Sequence, residues 1–445
     1  MNLAGLPLPP RVRDILAAAL DAVDPYRAVR RALESPDPPT RAALAAARRV
    51  VVLAVGKAAF PMAQAARDLL GPRIARGVVV TKAGHAGGPL PGFRTVFGGH
   101  PLPTVGSQRA AAAVLQAVHG LQADDVVLLL LSGGGSALMT APRLPLTLTD
   151  LQRTTQLLLA SGATIAEVNT VRKHLDAVKG GGLAQAAAPA AVVALVLSDV
   201  LGNPLDVIAS GPAVPDPTTF DDAWAVLTRY GLVERVPAAV REVLRRGRRG
   251  EVPETPKPGA AFFHSVHHRV VGDVAQAVEA AAKRAAREGF HTAIAATALQ
   301  GEAREIGRGL AAVLREMAER ERPLPRPACL LLGGETTVTL GESYGRGGRN
   351  QELALAAVEA LDGLRDAYLV AFATDGADGP TDAAGAVAQA DTLRRARARG
   401  LSPAAYLRQH DAYAFWQAVG GLLRTGPTQT NVNDLILLCT GALGK

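Results

Sequence analysis

Sulfur and aromatic rings are scarce in this chain of 445 residues, which has 2 cysteines and only 4% aromatic residues. Cys329 and Cys439 each sit inside a strand-like apolar segment, where a reduced, buried thiol is the ordinary state, so neither reads as a metal ligand or nucleophile. Long apolar runs are missing too. The longest, Ala186 to Leu197, falls short of the roughly 18 to 20 residues that a bilayer span needs, and Pro189 interrupts it. The amino-terminal stretch from Pro9 to about Leu33 reads as one amphipathic helix and lacks the basic, apolar and small-residue regions of a signal peptide. A cytoplasmic protein without a membrane span is expected. The shortage of aromatics also bears on the net charge of +8, which by itself invites a nucleic-acid partner. Arg245, Arg246, Arg248 and Arg249, like Arg394, Arg395, Arg397 and Arg399, read instead as solvated helix faces. No nucleic-acid partner is expected, and a modest positive field suits anionic substrates.

Aliphatic residues are what the chain has in quantity. Apolar residues make up 48%, enough for two cores in a chain longer than one core usually serves. Short β-rich runs alternate with Ala/Leu/Arg segments of helical period, the pattern of an α/β protein with a mainly parallel sheet flanked by helices. Strands are expected at 50–55, 77–81, 126–131, 192–197, 269–271, 292–295, 329–332, 337–340, 368–372 and 435–439. Several are solidly apolar rather than alternating, which favours burial on both faces. Between Gly250 and Phe262 the prolines of Glu-Val-Pro-Glu-Thr-Pro-Lys-Pro-Gly forbid continuous helix, so the domain boundary is placed there, with residues 1–250 and 251–445 as the two domains. No fixed-period repeat is visible.

Polar chemistry falls where strands end. Gly56-Lys57, Ser132-Gly133-Gly134-Gly135-Ser136, Ser198-Asp199, Gly333-Gly334-Glu335 and Thr374-Asp375-Gly376 each follow an expected strand directly. In open α/β sheets ligands bind beyond the carboxyl ends of the strands, so these groups are expected to converge on one cleft. Ser132 to Ser136 fits an anion cradle, since glycines let backbone N–H groups approach phosphate oxygens. The spacing is not that of a P-loop, and Val55-Gly56-Lys57-Ala58-Ala59 has one glycine where a dinucleotide fingerprint needs three. Lys57, in the turn after its strand, is placed to reach phosphates as a point charge; the plainer alternative is an exposed lysine at a helix start.

Gly345 to Glu352 sets Arg349 and Asn350 in a glycine-rich turn ahead of a helical run, and a guanidinium there can grip a carboxylate or a moving phosphoryl group with two prongs. Asn169 to Gly182 carries Arg172, Lys173, His174, Asp176 and Lys179. Arg172 and Asp176 have the spacing of an i, i+4 surface pair, and Lys173 and His174 are candidate cleft residues. Asp375, Asp378 and Asp382, with Asp199 and Glu335, are carboxylates able to hold Mg²⁺ or accept a hydroxyl proton, although Asp-Gly pairs also build plain turns. The histidines lack metal-ligand spacing, and no metal ligand set can be named.

Taken together, Val55-Gly56-Lys57-Ala-Ala, Gly99-His100-Pro-Leu-Pro103, Leu-Ser132-Gly-Gly-Gly-Ser136, Asn169-Thr-Val-Arg-Lys-His-Leu175 and Ser198-Asp199-Val-Leu-Gly-Asn203 resemble the class II glycerate kinases, also called the glycerate 2-kinase or MOFRL family. The likeness continues through Gly333-Gly-Glu335-Thr-Thr, Gly347-Gly-Arg-Asn-Gln-Glu352, Thr374 to Gly385 and Thr430-Asn-Val-Asn-Asp434. It implies a Rossmann-like amino-terminal domain and a leucine-rich α/β carboxyl-terminal domain around an active cleft. It further implies ATP-dependent phosphorylation of D-glycerate to 2-phosphoglycerate, with Mg²⁺ carried by the nucleotide. Matched by motif, Lys57 and Arg349 would be the principal catalytic cations and Asp199, Glu335 and Asp375 supporting carboxylates. Gly56 and Ser132 to Ser136 would bind phosphate, and Lys173, Asn203 and Asn350 the substrate. Asp176-Ala177 and the third glycine, Gly182, depart from the family pattern and are expected to touch only a flanking turn. The rival activity is that of an NAD(P)H-dependent hydroxypyruvate reductase. A homo-oligomer is compatible with all of this.

Overall fold

The computed structural model describes residues 3–441. The chain opens with helices α1 (Pro10–Ala22), α2 (Pro25–Glu34) and α3 (Pro38–Ala46). The single helix expected from Pro9 to Leu33 is thus broken at Asp24-Pro25, because proline brings no N–H to the ladder and disfavours helical backbone at the residue before it. There follow β1 (Arg49–Val55), α4 (Ala59–Leu70), β2 (Ile74–Lys82), β3 (Phe93–Gly98), α5 (Val105–Val118) and β4 (Asp125–Leu131). A helical stretch of α6 (Gly135–Leu138), α7 (Leu148–Ala160), α8 (Ile165–Leu175) and α9 (Gly182–Ala187) precedes β5 (Ala191–Leu197), and α10 (Phe220–Arg229) and α11 (Ala238–Arg248) lead to β6 (Val266–Gly272). The remainder comprises α12 (Val274–Arg287), β7 (His291–Leu299), α13 (Ala303–Arg320), β8 (Ala328–Gly334), α14 (Arg349–Ala357), β9 (Ala367–Ala373), β10 (Gly385–Gln389), α15 (Thr392–Arg397), α16 (Pro403–Arg408), α17 (Ala412–Val419), β11 (Leu422–Leu423) and β12 (Asp434–Thr440).

The chain forms two compact units, Pro25–Val271 and the remainder, Gly272 onward together with the residues up to Asp24. The boundary therefore lies about one strand later than the proline-rich segment suggested. That segment belongs to the first unit: the Thr255 hydroxyl donates to Asp216 Oδ2 at 3.0 Å, and Asp216 N donates to Pro256 O at 2.8 Å. Glu254 accepts from Phe220 N at 2.9 Å, and beyond the segment β6 still joins the first sheet beside β5. Proline stops helix but does not stop a segment from packing.

In the Pro25–Val271 unit the sheet order is β3-β2-β1-β4-β5-β6, and the pairs from β3 through β5 are all parallel. The chain runs outward from β1 to β2 and β3, then returns past β1 to β4 and onward to β5. The carboxyl ends of β1 and β4 consequently flank the crevice where the strand order reverses. Solid apolar runs place this sheet in the core, with Leu128, Leu129 and Leu130 fully buried. Helices α7, α8, α10 and α11 gather a separate apolar cluster that includes Leu158, Val168, Phe220, Leu227 and Leu244.

The second unit has sheet order β11-β10-β9-β12-β8-β7. Only β7 and β8 pair in parallel; β8/β12, β12/β9, β9/β10 and β10/β11 are antiparallel. Leu330, Leu353, Leu369, Phe415, Trp416, Ile436 and Leu438 lie in its core. Of the expected strands only 337–340 fails to form. Thr337 makes an isolated bridge to Glu302, and the alternating Thr-Val-Thr-Leu is largely exposed with no sheet beneath it. Among the described residues no helix is long and apolar enough to cross a membrane. Leu129 sits in the first sheet, and Leu129→Ala is expected to lower the unfolding free energy by about 3 kcal/mol in urea titrations; a loss below about 1 kcal/mol would show that the face of β4 carrying Leu129 is not close-packed.

Candidate active site

In the Pro25–Val271 unit three of the strand-end turns meet. Ser132 N donates to Val55 O at 2.9 Å, Lys57 N to Gly133 O at 2.9 Å and Ala58 N to the Ser132 hydroxyl at 3.0 Å, so the Gly56-Lys57 and Ser132-Gly133 turns are laced together. Ser132 is buried and its hydroxyl braces the loop. Asp199, from the end of β5, lies over Gly133: a Cβ there would come within 2.0 Å of Asp199 Oδ2, so only glycine lets the carboxylate approach. Gly134, with φ +86°, turns the chain into α6, and the Ser136 hydroxyl lies 2.8 Å from that of Ser210. No protein acceptor among the described residues takes the N–H of Gly133, Gly134, Gly135 or Ser136. Four consecutive unspent amides next to a lysine make an anion cradle. Lys57 forms no ion pair among the described residues. Its charge is nevertheless felt nearby: burial first, then Lys57, Lys82 and His85, hold His100 down at about 4, so His100 is neutral at physiological pH.

The other candidates of this unit are placed differently. Lys173 is buried, with its ammonium 3.3 Å from Asp206 and 3.7 Å from Asp216. His174 is spent on Thr170 O and Glu254 and packs edge-on against Phe220, while burial lowers its pKa. Asn203 follows Asp199 in a turn and has φ +54°. Arg172 and Asp176 do not form the expected pair, because α8 ends at Leu175 and Asp176 is extended, with φ −128°. Asp176 instead holds Lys179 at 2.7 Å in a buried bridge, so the departure at Asp176 reaches the interior and not merely a flanking turn.

The second unit assembles its own set. Arg349 is the first residue of α14 and donates Nε and Nη2 to Asp434 at 2.5 and 3.1 Å, and Nη1 to Glu335 at 2.8 Å. Burial opposes its charge, but the Asp434 and Glu335 carboxylates outweigh that and raise the guanidinium pKa. Three of its five N–H bonds are committed, leaving two. The N-cap of α14 is Gly348, which offers no side chain, and the cap comes from Asp378, whose oxygens accept from Asn350 N at 3.1 Å and Gln351 N at 2.8 Å. A Cβ on Gly348 would collide with this carboxylate at 2.3 Å. Asn350 is buried, with its amide nitrogen directed to Asp378 at 3.3 Å and its carbonyl oxygen unpartnered. Asp375 turns the chain after β9 and accepts from Ala377 N at 3.0 Å.

Strand-end reasoning passed over Asp434, and it grouped Asp378 with the candidate carboxylates without seeing its role as the cap of α14. Asp434 begins an antiparallel strand rather than following one, and Asp378 looked like one more turn-forming Asp-Gly. Burial, then the neighbouring Asp434 charge, push Asp378 up to about 7 against the pull of the helix amides and Arg349. The folded protein therefore keeps this proton up to about pH 7, while the unfolded chain releases it near 4, so its contribution to stability falls as pH rises between those values and is constant above. Relative to Asp378→Asn, the native protein should lose up to about 2 kcal/mol of unfolding free energy between pH 5 and 7.5. A difference independent of pH over that range would refute the raised pKa.

Residues 11–245 match the model of a domain of unknown function, DUF4147, and residues 328–434 match the MOFRL family. The chain is 45% identical to the D-glycerate 2-kinase of Thermotoga maritima, over 95% of this chain and 96% of that protein. It is 44% identical to an Agrobacterium vitis protein provisionally named hydroxypyruvate reductase, over 97% and 94% of the two chains. A crystal structure of glycerate kinase from Thermotoga maritima superposes with a TM-score of 0.87 at 44% identity, covering 96% of this chain and 98% of that one. The motifs, the laced strand-end turns and these matches over nearly the whole length agree: the chain belongs to the class II glycerate kinase (MOFRL) family.

Proposed function

We propose that this protein is an ATP-dependent D-glycerate 2-kinase acting in the cytoplasm, and that the residue sets of both units serve this one reaction. The observation that carries the reading is the cradle of four unspent amides from Gly133 to Ser136 beside the unpaired Lys57, in a member of this family. Phosphoryl transfer asks a protein mainly for positioning and charge neutralisation. The cradle and Lys57 supply both for the ATP phosphates. Arg349, oriented by Asp434 and Glu335, keeps two N–H bonds for the equatorial oxygens of the moving group. The bond from phosphorus to the bridging oxygen breaks, a bond to the glycerate 2-oxygen forms, and the hydroxyl proton passes to Asp199 or Asp375.

Mg²⁺ fits this arrangement as a companion of the nucleotide. The described residues offer no group of three or more metal-ligating side chains, and Mg²⁺ held by substrate phosphates and water needs only one or two carboxylates. Asp199, beside the cradle, is the carboxylate that would anchor it, and the ion would neutralise phosphate charge. The rival reductase activity requires a dinucleotide site, yet the β1–α4 turn has Lys57, Ala58 and Ala59 after its single glycine.

Phosphorus and proton NMR of the product from ATP and D-glycerate should show 2-phosphoglycerate; no product, or NADH oxidation with hydroxypyruvate in the absence of ATP, would overturn the assignment. Lys57→Ala should lower kcat by about a hundredfold or more in a coupled ADP assay, a barrier increase of roughly 3 kcal/mol. Arg349→Lys, which keeps the charge but loses the two-pronged bond to Asp434, should lower kcat at least tenfold with little change in the ATP KM. Near-normal turnover in both variants would remove these residues from the chemistry.

A further inference from the structure

Behind the Ser132–Ser136 turn, within the Pro25–Val271 unit, lies a cavity of about 150 Å³. It is lined by Gly134, Ser136 and His100 together with Thr155, Leu158 and Arg172 from α7 and α8. A cavity of this size accepts a ligand of about six heavy atoms. A three-carbon hydroxy acid is of that order, whereas a nucleoside is far larger.

The charge inside the cavity does not balance. Arg172, Asp176 and Lys179 all line it. Asp176 and Lys179 cancel each other at 2.7 Å, and each is otherwise satisfied: Lys179 donates to Met139 O and Thr140 Oγ1, and Asp176 Oδ1 accepts from Val178 N. His100 is neutral at physiological pH. Arg172 remains, with no hydrogen bond or ion pair among the described residues. Burial lowers its pKa, although a guanidinium stays charged in proteins. A half-buried guanidinium that makes no hydrogen bond, with only the charge of Asp176 to support it, is costly to keep, and its fork geometry matches a carboxylate. The neighbouring cation on α8, Lys173, is committed to Asp206 and Asp216.

We propose that this cavity is the acid pocket of the enzyme and that Arg172 grips the carboxylate of the acceptor, making it the residue that restricts the reaction to hydroxy acids. The inference rests on the kinase reading above. With the carboxylate on Arg172, the rest of the acceptor extends toward Ser136 and the phosphate cradle, which share the cavity wall.

The test compares D-glycerate with glycerol, an acceptor lacking the carboxylate, in the native enzyme, Arg172→Gln and Arg172→Lys. Arg172→Gln should raise the D-glycerate KM about a hundredfold, leave the ATP KM within about twofold and not lower whatever turnover of glycerol the native enzyme shows. Arg172→Lys should recover part of the loss, since it keeps the charge without the fork, and it serves alone if the glutamine variant does not fold. Equal losses with both acceptors, an unchanged D-glycerate KM or a rise confined to the ATP KM would each overturn the proposal, the last indicating that the nucleotide base occupies the cavity. Calorimetric titration of D-glycerate without ATP separates the two readings. Binding that disappears in Arg172→Gln supports the pocket even if the native protein shows no kinase activity, whereas kinase activity with undiminished D-glycerate binding in the variant sinks the pocket alone.

Discussion

The register of β1 on β4 is the constraint on which the chemistry of the Pro25–Val271 unit depends. Val55 pairs with Leu131, so both strands end at one level and their turns interlock through Val55 O, Gly133 O and the Ser132 hydroxyl. Register on β5, where Leu131 pairs with Val196, then brings Asp199 over Gly133. A shift of one residue would exchange the faces of every side chain in a strand and separate the turns. The interior that forbids such a shift is purely aliphatic. Val, Leu and Ala54, which fill every position of β1 and β4 past the first, therefore act at a distance on the placement of Lys57 and the amide cradle.

In the second unit strand direction does the equivalent work. Asp434 is the first residue of β12, and because β12 runs antiparallel to β8 and β9 its start lies level with their ends, opposite Gly334 and Ala373. A parallel β12 would have put Asp434 at the far edge of the sheet, away from Glu335 and the start of α14. The antiparallel strand thus supplies the carboxylate that fixes Arg349 with two prongs, and Asp378 fixes the helix that carries it. Both acids are buried, and burial raises the pKa of each, so the site sits in an electrostatic environment where small changes in neighbouring charge are strongly felt.

Much of this was legible in the residues before any coordinates. Strands such as 126–131 and 435–439 announce themselves because burial on both faces leaves no polar position. The edge strand β3, partly exposed along its length, and the short Ala-rich β10 carry no such pattern and went unread. The Thr337–Leu340 alternation is the reverse case, a strand-like period with no sheet to pair with. Positions just after strands include Lys57 and Ser132, whose turns are laced together, and Glu335, which accepts from Arg349. What one dimension does not reveal is which cation is already spent. Lys173 and Arg172 are neighbours in sequence, yet one faces two aspartates and the other lines a cavity.

That distinction separates structural cations from functional ones. Lys179 and Lys173 are enclosed with carboxylates that compensate them, and removing either would leave a buried acid uncompensated, which is a folding cost. Lys57 and Arg172 form no such bridge; burial works against the Arg172 charge, and the Asp176 carboxylate supports it without a hydrogen bond. An anion entering the cradle or the cavity gains a charge-assisted bond at once. The unpaired cations are thus pre-organised for binding, and the aliphatic cores of the two units supply the stability that allows them to remain unpaired until a ligand arrives.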